Sequence, residues 1–387
     1  MELVGGRHLR VLLVANYDLD GQESMERFCS ILAKSLARHQ VDFRVIRPAA
    51  RLGKLVEASN PLRKWLAYLD KYVIFPPVLR KAVAANDLIH ICDHSNAVYV
   101  PNLKTVPYVV TCHDLLAVRA GLGEETYCPL SPLGKILQRW ILSGLRSADM
   151  VVCDSRATRI DAERLLRGSG AKVELVPLGL NYPYVSIDRK EALRRLAPVS
   201  NALRADEPYL LHVGSSQPRK NRDGVLRIFA RIKDRFAGQL VFVGEPLPLD
   251  LRHLADVLQV RDRVVEIGKC EDSILEALYR CAHALVYPSK SEGFGWPIIE
   301  AQACGCPVLT SDCGPCPDIV GDASLVHQVD DEAAFADSIM VLTDPDRRSA
   351  IIANGFANLK NFDTNTMIAE YLRIYSEISE ASVGTNA

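Results

Sequence analysis

The chain has 387 residues, 48% of them hydrophobic, which is enough apolar material for two domain cores. Its 46 Lys and Arg against 47 Asp and Glu leave a net charge of −1, so no global basic character points to nucleic acid. Eleven cysteines, odd in number and scattered through apolar runs, fit buried thiols in a reducing compartment better than a disulfide framework.

The first eighteen residues do not have the form of a signal peptide. The apolar run Val11 to Ala15 is short and lacks a cleavage-type flank. No stretch reaches the ~20 apolar residues of a spanning helix. The expectation is a cytoplasmic protein, soluble or attached to the inner face of a membrane.

Strand-like runs follow in chain order at 9–16, 41–47, 87–93, 107–114, 149–155 and 172–179, and then again at 208–215, 238–245, 262–268, 283–289 and 306–312. They are apolar on both faces and separated by helical patterns, which indicates parallel sheets buried on both sides. Two such series predict two Rossmann-like, doubly wound α/β domains. The domains are expected at 1–190 and 191–362, with a charged, turn-rich seam around 180–205. A final helical pattern, 363–387, has Met367, Ile368, Tyr371, Leu372, Ile374 and Tyr375 on one side, and "SVGTNA" reads as a frayed end. Ligands of such sheets sit beyond the strands' carboxyl ends, so the chemistry is expected in the loops after these runs, in a cleft between the domains.

After the run at 208–215 comes "SSQPRKN", with Arg219 and Lys220 just before a helix. Cations near a helix N-terminus are unfavourable unless an anion sits there with them; a solvated Arg-Lys pair is the other reading. After the run at 283–289 comes "KSEGFGWPIIEAQACG". Gly293 and Gly295 let a ligand approach the backbone, and Pro297 suits a first helical turn. Glu292 lies on the loop and Glu300 about a turn inside the helix. Each acid alone could be a solvated or dipole-satisfying group, but neither role explains both glycines. Cys304-x-Cys306 and Cys313-x-x-Cys316 could ligate zinc. No partner pattern repeats nearby, and small residues at a helix end and turn is the preferred reading. The first strand is followed by "NYDLDGQESMERF", without the G-x-G-x-x-G of a dinucleotide oxidoreductase.

"YPSKSEGFGWPIIEAQACGCPV" resembles the E-x7-E signature of the family 4 retaining glycosyltransferases of GT-B fold, also called glycosyl transferases group 1. Trp296 stands where Leu is usual and Gln302 where Met is usual. "HVGSSQPRKN" is similar to the family's phosphate loop, "TCHDL" to its N-terminal His motif, and the segment 266–289 to the part that holds the nucleotide base. The resemblance is strongest from 208 to 322. It implies that Arg219 and Lys220 hold a diphosphate and that Glu300 takes the ribose hydroxyls. It also implies that Glu292 with the backbone of Gly293, Phe294 and Gly295 faces the donor sugar. Gly214, Ser215 and Gly268 join the donor side. Ser215 replaces the Arg of the commoner family form, which makes Lys220 the principal cation. His113 is expected to hydrogen-bond the sugar rather than act as a base, and Gly21, Asp93 and His94 to face the acceptor. The final helix is expected to cross back to the first domain, with Asp363 or Thr364 as its N-cap.

The function implied is retaining transfer of a hexose from a GDP- or UDP-sugar to a hydroxyl of a glycan or lipid-linked acceptor. The lean is to mannose, and no metal or other cofactor is expected. A nucleotide-sugar epimerase and a non-catalytic nucleotide-sugar-binding subunit are the alternatives. Two N-terminal stretches, 51–81 and 131–147, are basic and amphipathic. They read either as helices lying on an anionic bilayer or as core helices with solvated charged faces.

Overall fold

The computed structural model describes residues 9–384 apart from 58, 103–105, 200, 201 and 323. Residues 1–8, read above for a leader, and 385–387 of the expected frayed end lie outside the described residues; the final helix itself continues to Gly384.

The strands form two six-stranded sheets, parallel throughout. The first contains β1 (Arg10–Val14), β2 (Asp42–Ile46), β3 (Leu88–Ile91), β4 (Tyr108–Cys112), β5 (Met150–Cys153) and β6 (Lys172–Leu175), in the order β2-β1-β3-β4-β5-β6. The second contains β7 (Tyr209–Gly214), β8 (Gln239–Gly244), β9 (Val264–Ile267), β10 (Ala284–Tyr287), β11 (Val308–Ser311) and β12 (Ser324–His327), in the order β12-β11-β10-β7-β8-β9. The central strands β1, β3, β4, β5, β7, β10 and β11 are almost wholly buried, which is why they read as unbroken apolar runs. Eleven strands stand where the sequence places them. β12 was not foreseen: it is a four-residue edge strand, too short to give a distinct pattern.

In each sheet the chain leaves one strand for a neighbour on one side and later resumes on the other. These switch points lie between β1 and β3 and between β7 and β10. Adjacent loops diverge there at the strands' carboxyl ends and leave a crevice. The loops after β1, β3, β7 and β10 therefore carry the candidate chemistry.

The chain separates into two compact units, residues 1–181 with 364–387, and residues 182–363. The first boundary falls before the expected residue 190. The Tyr184 hydroxyl bonds Asp272 at 3.3 Å and the Val185 N–H bonds Glu276 at 2.9 Å, which ties this stretch to the second unit.

The final helix, Thr364–Gly384, belongs to the first unit. Met367, Ile368, Tyr371, Ile374 and Tyr375 are buried, while Leu372 is only half-buried. The Tyr375 hydroxyl lies 2.5 Å from His90 Nδ1, and the Tyr371 hydroxyl 2.9 Å from Thr111 Oγ1, so the helix is bonded into β3 and β4. Thr364 Oγ1 donates to the Leu180 carbonyl at 3.1 Å. A side chain on Gly179 would collide with Thr364, its Cβ falling 2.5 Å from that Cα.

Candidate functional site

The donor-side residues gather in the second unit at the β7/β10 switch point. β7 ends at Gly214, and the chain passes through the short 3-10 turn Pro218–Lys220 into the helix Arg222–Ile232. Asn221, at φ +54°, takes the left-handed conformation between turn and helix, and its amide donates to the Pro288 carbonyl at 2.9 Å. This bond ties the β7 loop to the β10 loop. Gly295, at φ +101°, sits immediately before the helix Trp296–Ala303, a backbone conformation that side chains strongly disfavour. Pro297 lies in that helix's first turn, as expected.

The two loops bring Arg219, Lys220, Tyr287 and Glu292 together. Lys220 Nζ donates to Glu292 Oε1 at 2.7 Å and to the Tyr287 hydroxyl at 2.9 Å. The Tyr287 hydroxyl donates to the same Oε1 at 2.7 Å, and the Tyr287 ring lies 5.2 Å from the Lys220 ammonium. Arg219 Nη1 donates to Glu292 Oε2 at 2.6 Å and to the Ser291 carbonyl at 3.1 Å. Glu292 is thus not a solvated loop acid; it is 7% exposed and clasped by three donors.

Burial alone would raise the Glu292 pKa, but the Lys220 and Arg219 charges outweigh it and hold the carboxyl down at about 2. Burial lowers the Lys220 pKa, with Glu292 opposing that shift. The cluster holds two cations against one carboxylate and keeps a net positive charge. Such a site suits an incoming polyanion. The cations expected on the diphosphate and the Glu292 expected on the sugar close on one another.

Arg222 was not foreseen. Buried at the start of the helix, it donates to Ser216 Oγ at 2.8 Å and the Glu245 carbonyl at 2.7 Å, and lies 5.0 Å from the Phe242 ring. It holds the β7 and β8 loops together. Ser215 is half-buried in that β7 loop. Gly214 packs near Lys220, whose Cδ would lie 3.4 Å from any added Cβ.

Glu300 is buried, and its Oε2 accepts from the Tyr279 hydroxyl at 2.9 Å. Phe294 stacks edge-on against Phe362, ring centroids 5.8 Å apart, which fixes the loop bearing Gly293 and Gly295. Gly268, after the edge strand β9, has open space around it. Cys304, Cys306, Cys313 and Cys316 are free thiols. Among the described residues, no three His, Cys, Asp or Glu side chains cluster as a metal-ion site.

The first unit has its own polar cluster at the β1/β3 switch point. Asp93 Oδ2 accepts from Asn16 Nδ2 at 2.6 Å and from the Ser95 hydroxyl, and Oδ1 from the Ser95 N–H at 3.1 Å. Asn16 also donates to Gln22 at 2.5 Å. His94 Nδ1 lies 3.1 Å from Asp93 Oδ1. Burial lowers the His94 pKa, but Asp93 and more distant carboxylates outweigh it and the net shift is upward. Gly21 takes a left-handed φ of +63° after the 3-10 turn Asp18–Asp20, which explains a glycine there.

His113 follows β4 and is 4% exposed. Its Nε2–H donates to the Cys92 carbonyl at 3.0 Å, and Nδ1 faces Asp154 Oδ2 at 3.0 Å. Both ring nitrogens are therefore engaged within the first unit. Burial pushes Asp154 up to about 6, while the Asp154 charge outweighs burial on His113 and raises its pKa. Asp154, Asn16, Tyr287 and Arg222 were missed by sequence reasoning. Their only signal was position at a strand's carboxyl end or in a switch-point loop.

Two families match the chain. The one described as Glycosyl transferases group 1 covers residues 194–357, and Glycosyltransferase Family 4 covers 25–182. The chain is 28% identical to an O-antigen chain mannosyltransferase B of Escherichia coli over 324 residues, 81% of each chain. It is 29% identical over 285 residues to a D-inositol 3-phosphate glycosyltransferase of Mycolicibacterium smegmatis, 70% of this chain and 63% of that one. The solved sucrose-phosphate synthase of Thermosynechococcus elongatus superposes with a TM-score of 0.76 at 21% identity, over 97% of this chain and 100% of that one. With two doubly wound parallel sheets and both families matched in chain order, the protein is a glycosyltransferase of family 4, group 1, with the GT-B fold.

Proposed function

We propose that the protein is a retaining, metal-independent hexosyltransferase. It moves a hexose, mannose by preference, from a nucleotide diphosphate sugar to a hydroxyl of a glycan or lipid-linked acceptor. The observation that carries the reading is the buried Lys220–Arg219–Glu292 cluster, with its excess positive charge, at the switch point. Glycosyl transfer passes through an oxocarbenium-like transition state. The departing diphosphate gathers negative charge as the bond breaks, and fixed cations that need no reorganisation stabilise it there. Lys220 and Arg219 supply that charge, which is the ground for metal independence. Glu300, one helical turn from the Gly295 backbone, would accept from the ribose hydroxyls. Likeness to an O-antigen chain mannosyltransferase supports mannose and a polysaccharide or lipid-linked acceptor.

The test is a product assay across GDP-mannose, UDP-glucose and UDP-galactose with a lipid-linked oligosaccharide, with and without EDTA. NMR of the product reads the anomeric configuration. We expect retained configuration and turnover that persists under EDTA. Inverted product would overturn the retaining assignment. Loss under EDTA restored by a divalent ion would overturn metal independence, and product formed without any acceptor would mark an epimerase.

A further inference from the structure

Most of the large apolar side chains left exposed among the described residues fall within 55–78 and 122–140 of the first unit. Two helices organise them, Leu62–Leu69 and Pro132–Arg146. Each shows the same i, i+3, i+7 spacing of exposed apolar residues: Leu62, Trp65 and Leu69 in one, Leu133, Ile136 and Trp140 in the other. At ~100° per residue each triplet spans about 60° of its helix, a narrow stripe facing water rather than core. Trp65 is 54% and Ile136 61% exposed, so these are not edges of buried contacts. The core-helix reading therefore holds only for the opposite face of the helix Pro132–Arg146, where Ile141, Leu142 and Leu145 are buried; the helix Leu62–Leu69 has no buried residue.

The stripes adjoin. Trp65 meets Tyr68 at 5.9 Å between ring centroids, Tyr68 meets Tyr72 at 5.7 Å, and Tyr72 meets Trp140 at 5.3 Å. This aromatic chain runs from the first helix across to the second. Beside it a recess of about 140 Å³ is lined by Tyr72, Pro76, Arg80, Val98, Tyr99 and Trp140.

Cations predominate on the two helices of this face, and the exposed Asp20 beside it is paired with Lys71 at 2.9 Å, next to Tyr68 and Tyr72. Lys64 and Lys135 each follow the first apolar residue of their triplet by two positions, and Arg139 lies beside Ile136 and Trp140. Lys64, Arg80, Lys81, Lys135 and Arg139 are exposed, with no carboxylate partner among the described residues. The helix Pro132–Arg146 contains no acid. The helical stretch 62–83 contains Asp70 alone, buried beneath the Tyr17 hydroxyl and the backbone N–H groups of Arg51, Leu52 and Gly53.

An exposed apolar stripe with amphipathic aromatics, flanked by an excess of cations, is complementary to a negatively charged lipid surface. A protein partner would have to be as uniformly acidic and as apolar as a bilayer. We propose that this face of the first unit docks on an anionic phospholipid bilayer. Trp65, Leu69, Ile136 and Trp140 enter the headgroup boundary, and Lys64, Lys135, Arg139 and Arg80 meet lipid phosphates.

The experiment uses the full chain and sedimented vesicles of phosphatidylcholine, with or without about 30 mol% phosphatidylglycerol. Trp296, the third tryptophan, is buried in the second unit, so a change in emission reports on Trp65 and Trp140. We expect binding to the anionic vesicles, a blue shift of emission on binding, and loss of both in high salt. The variant K64E/K135E/R139E should lower the partition coefficient about tenfold or more, at ~1 kcal/mol per charge. L62S/I136S should lower it too, with unfolding midpoints unchanged because the altered side chains are exposed. Absence of binding to anionic vesicles, or binding that charge reversal leaves intact, overturns the proposal. Concentration-dependent dimerisation that L62S/I136S abolishes, without vesicle binding, would assign the face to a second copy instead and overturn it as well.

Discussion

Lys220 and Glu292, 72 positions apart in the chain, meet at 2.7 Å with both side chains nearly excluded from water. The pair closes the loop after β7 onto the loop after β10. It also sets the resting state of the site: a carboxylate holds the cations where a diphosphate is proposed to bind.

Lys220→Ala removes one of the two cations and leaves Glu292 to Arg219 and Tyr287. A charge-assisted hydrogen bond contributes about 1.5–3 kcal/mol, and more where charge develops in a transition state. Turnover should fall at least about tenfold, at roughly 1.4 kcal/mol per decade. Steady-state kinetics at saturating donor reads this, and unchanged turnover would remove Lys220 from the reaction.

Tyr287→Phe tests whether the hydroxyl positions the pair. It bonds both Lys220 and Glu292, and a phenyl ring keeps the packing against His212. Losing a buried bridging hydroxyl should cost about 1–3 kcal/mol of stability. It should also lower kcat more than it raises KM. Urea unfolding and initial-rate kinetics check the two parts separately; a stability loss with normal kcat would leave the hydroxyl purely structural.

Glu300→Gln keeps the acceptor for the Tyr279 hydroxyl but discards the charge. Free GDP or UDP, titrated calorimetrically, should bind more weakly by about 1 kcal/mol or more. Equal affinity would mean that Glu300 serves only its own helix and Tyr279.

His90 gives the fold a dependence on pH. Burial, then the His113 charge, holds its pKa down at about 3. In the unfolded chain a histidine protonates near ~6.5. Between these values the unfolded state binds one more proton, so this contribution to stability is present above about pH 6.5 and lost as pH falls toward 3. His113 and His94, raised by their carboxylates, act in the opposite sense, so the comparison must be with a variant. The stability gap between the protein and His90→Gln should narrow from pH 7 to pH 5, by up to about 1.4 kcal/mol per unit. Urea midpoints at the two values measure it, and a constant gap would contradict a neutral His90.

The strands were legible because both faces are buried. Runs such as "YLLHVG" and "MVVC" cannot be half-polar when helices cover both sides of the sheet. β12 escaped because an edge strand of four residues, closing on His327, carries no such demand. The loop "SEGFGWP" and the turn "PRKN" were legible as ligand-facing because their glycines, proline and cations conflict with ordinary packing. Local chemistry thus determined which loops matter.

What each side chain does was decided by tertiary structure. Nothing in "HDL" tells that both nitrogens of His113 are taken, one by Asp154, 41 positions later, and one by the Cys92 carbonyl. Nor does "DSRAT" mark Asp154 as an acid pushed up to about 6 by burial. The exposed triplets 62/65/69 and 133/136/140 have the periodicity of core helices, and only the packing reveals that these stripes face outward. Sequence fixes which chemical groups are available and how often they recur along an element. Partners and solvent exposure depend on distances between segments far apart in the chain, and those exist only once the sheets have formed.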